Sequence, residues 1–307
     1  MLRLAGLDVD RKDGERAYAA DAPVLIVGAA GQLGEVMASL CAQSWATMAW
    51  TRRDLDVNDG ARVVQAVSDL RPWAVVNCVA YNFVDDAEDH HVAALEANAF
   101  AVRSLARAAA RVGAVLVHYS TDFVFDGDLD RPYREDDRPN PRGVYAVSKL
   151  LGEWFAADAP AHYVLRVESL FGGVTRRKGT LDKMIDALDA RRPVRAFTDR
   201  IVTPSYSWDV AAATISALRT RPPSGVYHCV NTGAATWFDV ALEIRRQLGS
   251  DAAVESITLQ QTTLRAPRPR NCALSNEKLR ATGIDMPTWQ DALQRSLRTR
   301  GLNAENG

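Results

Sequence analysis

No run in this 307-residue chain is apolar for long enough to cross a bilayer as a helix, so a membrane-spanning role is not expected. The amino end places Asp8, Asp10, Asp13 and Glu15 where a secretory signal needs an apolar core. We therefore expect no export signal, and take residues 1–22 as a flexible extension with the fold beginning at Pro23. Charge of one sign is also missing. With 37 Lys and Arg against 38 Asp and Glu, the formal net charge is −1. No strong field points to nucleic acid or to an anionic membrane surface. Cysteine is scarce and scattered: Cys41, Cys78, Cys229 and Cys272 show no Cys-x-x-Cys spacing. That argues against a disulfide frame or a zinc site and for reduced thiols in the cytoplasm. The histidines show no ligand spacing either, since His90 and His91 are adjacent and a helix would turn them apart. No metal is expected. Internal repeats and low-complexity segments are absent. What the chain does have is apolar material, 47% of its residues, enough for a sizeable core in one large domain or one and a half.

Val24-Leu25-Ile26-Val27 is short and wholly apolar, as expected of a strand buried on both faces of a parallel sheet. It runs into Gly28-Ala29-Ala30-Gly31-Gln32-Leu33-Gly34 and then into a helical pattern, Leu33, Met37, Leu40 and Cys41. Strand, glycine turn and helix is the context in which glycines admit a pyrophosphate to the backbone and leave a helix N-terminus open to an anion. Three glycines used only for helix–strand packing would read the same way. The next strand, Thr47 to Trp50, ends at Thr51-Arg52-Arg53, with no acid before Asp54. An acid there commonly bonds the ribose 2′-hydroxyl of NAD. Guanidinium groups instead match a phosphate, which favours NADPH, with NADH still open; two solvated arginines are the plainer alternative. Asp56 and Val57 would lie near the adenine.

A third strand, Ala74 to Ala80, opens into Tyr81 and Asn82. Asn98 sits in the following helix, where it is a poor helix former. A fourth strand, Ala114 to Tyr119, leads into Ser120-Thr121-Asp122-Phe123, putting hydroxyls at the ligand side of the sheet. After a polar loop comes Tyr145-Ala146-Val147-Ser148-Lys149. A helix sets Tyr145 and Lys149 on one face. A free phenol has a pKa of about 10, and a nearby cation lowers it, which suits acid–base work on a hydroxyl or ketone. A surface helix with one Tyr and one Lys is the bland alternative.

The alternation of strands and helices predicts an α/β protein with a doubly wound parallel sheet. It lapses after Gly172. There we expect helix Leu181 to Ala190 and a loop Arg195 to Ser205, before helix Ser207 to Leu218 and strand Gly225 to Val230 resume the pattern. Residues 23–172 and 206–230 are assigned to a dinucleotide-binding domain. Residues 173–205 and 231–302 are assigned to a smaller, discontinuous C-terminal substrate domain.

Six motifs in this order carry a resemblance: the glycine turn from Gly28 to Gly34, Leu55-Asp56-Val57-x-Asp59, Asn77-Cys78-Val79-Ala80-Tyr81, Ser120 to Gly127, Tyr145-x-x-x-Lys149-Leu150-x-Gly152-Glu153, and Arg268-Pro269-x-Asn271. From Pro23 to about Arg300 the chain resembles the extended short-chain dehydrogenase/reductases, and among them the dTDP-4-dehydrorhamnose reductase family. The resemblance implies a Rossmann sheet and NAD(P)H-dependent reduction of the 4-keto group of a nucleotide-linked 6-deoxysugar. It implies Tyr145 as proton donor, Lys149 holding the nicotinamide ribose and depressing the tyrosine pKa, Thr121 on the substrate oxygen and Asn98 anchoring a water network. Gly28, Gly31, Gln32, Leu33, Gly34, Thr51, Arg52, Asp56, Val57, Ala80, Tyr81, Asn82, Tyr145 and Lys149 would hold the cofactor. Thr121, Asp122, Phe123, Ser169 and Arg268 would face the sugar nucleotide. A homodimer is compatible with this reading.

Three positions depart from the family pattern. After Arg166 the family reads roughly Thr-Ser-Trp-Val-Tyr, whereas this chain has Val167-Glu168-Ser169-Leu170-Phe171, so Ser169 replaces an aromatic residue at the sugar. Asp86 stands where the family often has Lys. A Gln-x-Gly-x-Pro-Thr loop becomes Arg200-Ile201-Val202-Thr203-Pro204-Ser205. These leave the reaction type standing and the particular sugar open. Two other resemblance-based readings remain: an NADP-binding regulatory subunit like that of methionine adenosyltransferase, and a reductase of an unrelated small carbonyl compound.

Overall fold

Side chains alternate across a strand, so Val24 and Ile26 enter one apolar cluster while Leu25 and Val27 enter another. This four-residue strand, β1 (Val24–Val27), therefore has core on both sides. The computed structural model describes residues 22–175 and 179–301. Residues 1–21 of the expected extension, and residues 176–178 and 302 of the expected substrate domain, lie outside the described residues.

After β1 come α1 (Gln32–Cys41), β2 (Thr47–Trp50), α2 (Gly60–Leu70) and β3 (Ala74–Asn77). Helix α3 (His91–Leu95) runs through a π-helical turn at Glu96–Phe100 into α4 (Ala101–Val112). Then follow β4 (Val115–Thr121), α5 (Val144–Ala156), β5 (His162–Val167), β6 (Leu170–Phe171) and α6 (Thr180–Asp189). Next are β7 (Val194–Phe197), β8 (Ile201–Val202), β9 (Ser205–Tyr206), α7 (Ser207–Thr220) and β10 (Gly225–His228). The chain closes with β11 (Ala235–Thr236), α8 (Trp237–Leu248), β12 (Val254–Ile257), α9 (Glu277–Arg280) and α10 (Trp289–Thr299).

Six strands form one parallel sheet in the order β2, β1, β3, β4, β5, β10. Helices α1 and α7 cover one face, through Val36, Met37, Val210 and Ala211. Helices α2, α4 and α5 cover the other, through Val63, Val67, Leu105 and Ala156. This is the expected doubly wound α/β sheet. Strand order reverses between β1 and β3, which opens a crevice beyond their carboxyl ends. A further core gathers Leu181, Ile185, Leu188, Val240, Ile244, Leu293 and Leu297 from α6, α8 and α10.

The segment expected as a loop from Arg195 to Ser205 instead contains most of β7, all of β8 and the start of β9. Strand β7 pairs in parallel with β12, β8 pairs antiparallel with β11, and β9 pairs in parallel with β6. Strands of two to four residues carry little periodic signal, and their partners lie far along the chain. Pairing, not local pattern, makes them strands.

Helix α5 is tied to the sheet by charge. Glu153 accepts from Arg166 through both carboxylate oxygens, at 2.8 and 2.7 Å, with side chains 4% and 3% exposed. Ser120 donates to the same carboxylate at 2.6 Å, and the guanidinium lies over the Phe125 ring at 4.9 Å. Beside it, a Cβ on Gly152 would stand 2.1 Å from the Asn98 carbonyl oxygen, so α5 and the π turn touch backbone to backbone. Breaking a buried pair by removing one partner leaves an uncompensated charge. Glu153→Ala is expected to lower unfolding free energy by about 3–5 kcal/mol, read from the urea midpoint. An unchanged midpoint would show the pair to be dispensable.

Candidate active site

The turn after β1 touches β3. Gly28 has φ of +79°, and a Cβ there would come within 2.9 Å of the Cys78 carbonyl carbon and the Val79 nitrogen. Only glycine satisfies both the backbone conformation and the contact. Gly34 is packed as tightly, since a Cβ would meet the Gly28 carbonyl oxygen at 2.2 Å. Gly31 caps α1 without a side-chain hydrogen bond, leaving the helix N-terminus facing the switch-point crevice. The chemistry of this cradle fits a pyrophosphate. Gln32 donates to the Gly172 carbonyl at 2.9 Å, joining the turn to the segment after β6. Leu33 and Val57 are buried, while Ala80 and Asn82 are exposed.

At the end of β2, Asp54 accepts from both the amide and the hydroxyl of Thr51, each at 2.8 Å, and these bonds hold its carboxyl below the usual range. Arg52 is exposed and pairs with Asp56 at 3.1 Å. The acid is therefore turned back on its own loop, and the arginines hold the outer edge.

Thr121 is the last residue of β4, so its side chain arrives at the carboxyl edge of the sheet beside α5. Its hydroxyl donates to Asp122 Oδ1 at 2.8 Å and lies near enough to the Tyr145 phenol to affect its acidity. Lys149 is 2% exposed. Its Nζ donates to the Tyr119 carbonyl at 2.6 Å and lies 3.5 Å from His118 Nε2, whose Nδ1 is 3.1 Å from Asn77. Burial lowers the Lys149 pKa to about 8 against the opposing pull of Glu153, and burial with the Lys149 charge holds His118 well below its ordinary value. The expected depression of the Tyr145 pKa by Lys149 does not appear. Burial pushes Tyr145 up to about 12, the nearby Thr121 hydroxyl opposes this, and the Asp122 charge adds to it. The reason is geometric: Lys149 spends its ammonium on the Tyr119 carbonyl.

Asn98 is fully buried in the π turn. It accepts from the Tyr81 amide at 2.8 Å and donates at 3.0 Å to both the Tyr81 carbonyl and Ser148 Oγ. Ser148 donates onward to the Tyr145 carbonyl at 2.8 Å. One amide therefore registers the β3 exit loop against the Tyr145 helix. π-Helical turns occur often at functional sites.

Phe123 meets Tyr145 edge-on, with ring centroids 6.0 Å apart. Both line a shallow crevice with Val84, Arg142, Pro267 and Pro269. Phe171 is fully buried and stacked on Tyr206, so it does not fill the missing aromatic position. Ser169 has φ of +45°. The other non-glycine residues with positive φ, Arg71, Arg191 and Arg221, follow helices, so Ser169 alone among the described residues holds this strained geometry away from a helix end. Arg268 pairs with Asp85 at 2.8 Å and lies over Phe123 at 5.9 Å. Asn271 donates to the Leu129 and Arg131 carbonyls at 2.8 and 3.0 Å, locking its loop to the polar one before α5.

A glycine cradle at the switch point of a parallel sheet, with Thr, Tyr and Lys gathered where β4 meets α5, defines the extended short-chain dehydrogenase/reductase class. Residues 22–301 match the family described as the RmlD substrate binding domain, and the chain belongs to that family. It is 37% identical over 281 residues to dTDP-4-dehydrorhamnose reductase of Streptomyces griseus, covering 89% of this chain and 92% of that protein. It is 32% identical over 279 residues to the spore coat polysaccharide biosynthesis protein SpsK of Bacillus subtilis, covering 90% and 97%. Bacillus anthracis dTDP-4-dehydrorhamnose reductase, solved in complex with NADP, superposes with a TM-score of 0.86 at 30% identity, covering 91% of this chain and 99% of that one.

Sequence reading missed His118 and Ser148 as neighbours of Lys149 and Asn98. A histidine inside the apolar run Val115 to Val117 and Tyr119 was a usable signal, because such a position demands a buried partner. It also missed Glu168 and Cys272, discussed below; residues so far apart in sequence carry no local signal.

Proposed function

We propose that this protein reduces the 4-keto group of a nucleotide-linked 6-deoxysugar, with dTDP-4-dehydrorhamnose as reference substrate and NADPH as reductant. The observation that carries the reading is the Tyr145 phenol set near the Thr121 hydroxyl, with buried Lys149 one turn further along the same helix. The nicotinamide cofactor supplies the hydride when bound. Gly28, Gly31, Gln32 and Gly34 would shape its pyrophosphate seat, Arg52 and Arg53 would receive the 2′-phosphate, and Lys149 would take the ribose side. Tyr145, held protonated by its raised pKa, gives its proton to the ketone oxygen as negative charge develops there. Thr121 steadies that oxygen. Asn98 acts by holding Tyr81 and Ser148 in register. Phe123 offers the sugar an apolar face where Ser169 cannot, and Arg268 stands at the diphosphate side once released from Asp85. The setting we infer is cytoplasmic synthesis of a surface polysaccharide or glycosylated natural product. The division into a dinucleotide-binding part and a smaller substrate part belongs to the same reading. So does a homodimer across the face where Phe100, Val147 and Trp154 are 42%, 47% and 64% exposed.

Purified protein supplied with dTDP-4-dehydrorhamnose is expected to oxidise NADPH, and Tyr145→Phe to lose about 10²–10⁴-fold in turnover with cofactor affinity nearly intact. Wild-type single-turnover reduction by the mutant would sink the assignment of Tyr145. Arg52→Ala combined with Arg53→Ala should weaken NADPH but not NADH binding in a fluorescence titration; equal losses would reduce the two arginines to a solvated edge. Sedimentation should give twice the monomer mass and Trp154→Glu the monomer, whereas a monomeric wild type would dismiss the dimer.

A further inference from the structure

Two of the sequence departures meet in space around a residue of the site. Glu168, from the β5 exit, and Arg200 and Thr203, from the segment around β8, surround Asp122 together with Cys272. Asp122, Glu168 and Cys272 are 5%, 2% and 1% exposed. One oxygen from each carboxyl and the Cys272 sulfur lie within 4.8 Å of one another. Thr203 donates to Glu168 Oε2 through its amide, at 2.7 Å, and through its hydroxyl. Glu168 Oε1 has no partner, and Asp122 Oδ2 has only the weak Cys272 thiol at hand. Asp122 Oδ1 is occupied by the Thr121 hydroxyl.

The charged and titratable groups facing the pair are Arg200, Cys272 and Tyr145. One guanidinium set against two buried carboxylates leaves an excess negative charge in a low dielectric, a state that a proton relieves. Burial raises both groups, Asp122 to about 6 and Glu168 well above its ordinary value, with the Asp122 charge adding to the latter. The same three side chains are of metal-ligating type. Arg200 approaches the Cys272 sulfur at 3.8 Å, however, and that fixed positive charge favours a proton over a divalent cation.

We propose that Asp122 and Glu168 share one proton, and that this proton decides whether the Thr121 hydroxyl can donate to the substrate. The inference rests on the roles given above to Thr121 and Tyr145. A threonine hydroxyl has one hydrogen. With Asp122 ionised, that hydrogen is committed to Oδ1, and Thr121 has nothing to offer a ketone oxygen, which only accepts. With the proton on Asp122 and its proton-bearing oxygen turned to Thr121, Asp122 donates to the hydroxyl oxygen and the Thr121 hydrogen is free for the ketone. The negative charge then sits on Glu168, where both Thr203 donors already point. No proton is gained or lost when it passes between the two carboxyls. Glu168 is thus a positioning residue acting through Asp122.

The sign of the pH effect follows. Below the pair's apparent pKa the proton is present and Thr121 can donate; above it the proton leaves and turnover falls. Glu168→Gln removes the like charge that holds the proton, so Asp122 ionises at lower pH. The alkaline limb of kcat should move toward acid by about 1–3 pH units, while the Kd for NADPH stays unchanged. Glu168→Ser, restoring the family's residue, should behave the same way. The full-length wild type should also show a protonated-carboxyl infrared band at pH 7 that Glu168→Gln lacks. Absence of that band in wild type would overturn the proposal without reference to any variant. So would superimposable pH profiles, or one equivalent of zinc in the purified protein by elemental analysis. If Tyr145→Phe is inactive and only the Glu168 profiles superimpose, the shared proton alone falls. If Tyr145→Phe retains wild-type turnover, the reading beneath it falls as well.

Discussion

The Glu153/Arg166 ion pair, closed between α5 and the sheet, is the contact on which the site depends. Two charges out of water need close mutual geometry and further partners. Ser120 and the Phe125 ring provide these, and in doing so bind β4, β5 and α5 into one unit. Such a pair is not in itself a strong source of stability. Its effect is positional, because Tyr145, Ser148 and Lys149 lie on the helix it holds and Thr121 ends the strand beside it. The second charge in this region, Lys149, is tolerated because Tyr119 gives it a carbonyl and neutral His118 lies alongside.

The approach of α5 to the π turn adds a steric constraint to the electrostatic one. Gly152 leaves no room for a side chain against the Asn98 carbonyl, and the Asn98 amide answers the backbone of Tyr81 on one side and Ser148 on the other. The β3 exit loop and the Tyr145 helix are thus set relative to each other by one close backbone approach and one buried amide. The Phe123 side of the crevice is built differently. Phe123, Arg268 and Asp85 form a layer of side chains, and Ser169, with its positive φ, directly follows Glu168 of the buried acidic pair.

Motif order and apolar runs by themselves determined the parallel sheet, the glycine turn and the Thr121, Tyr145 and Lys149 set. Each of these is local: a strand buried on both faces is chiefly apolar, a turn with positive φ pressed against a neighbouring strand favours glycine, and two residues one helical turn apart share a face. Asn98 was legible as an oddity in a helix, but the π turn it occupies was not. The strands at 194–197 and 254–257 were also hidden, because a four-residue strand is defined by its partner. Tertiary structure alone decided that Lys149 serves the Tyr119 carbonyl rather than the Tyr145 phenol, and that burial leaves the phenol near 12. It alone brought Glu168, Arg200, Thr203 and Cys272 around Asp122. Desolvation and charge coupling depend on distance through space, and nothing in the spacing of residues 122, 168, 200, 203 and 272 along the chain encodes it.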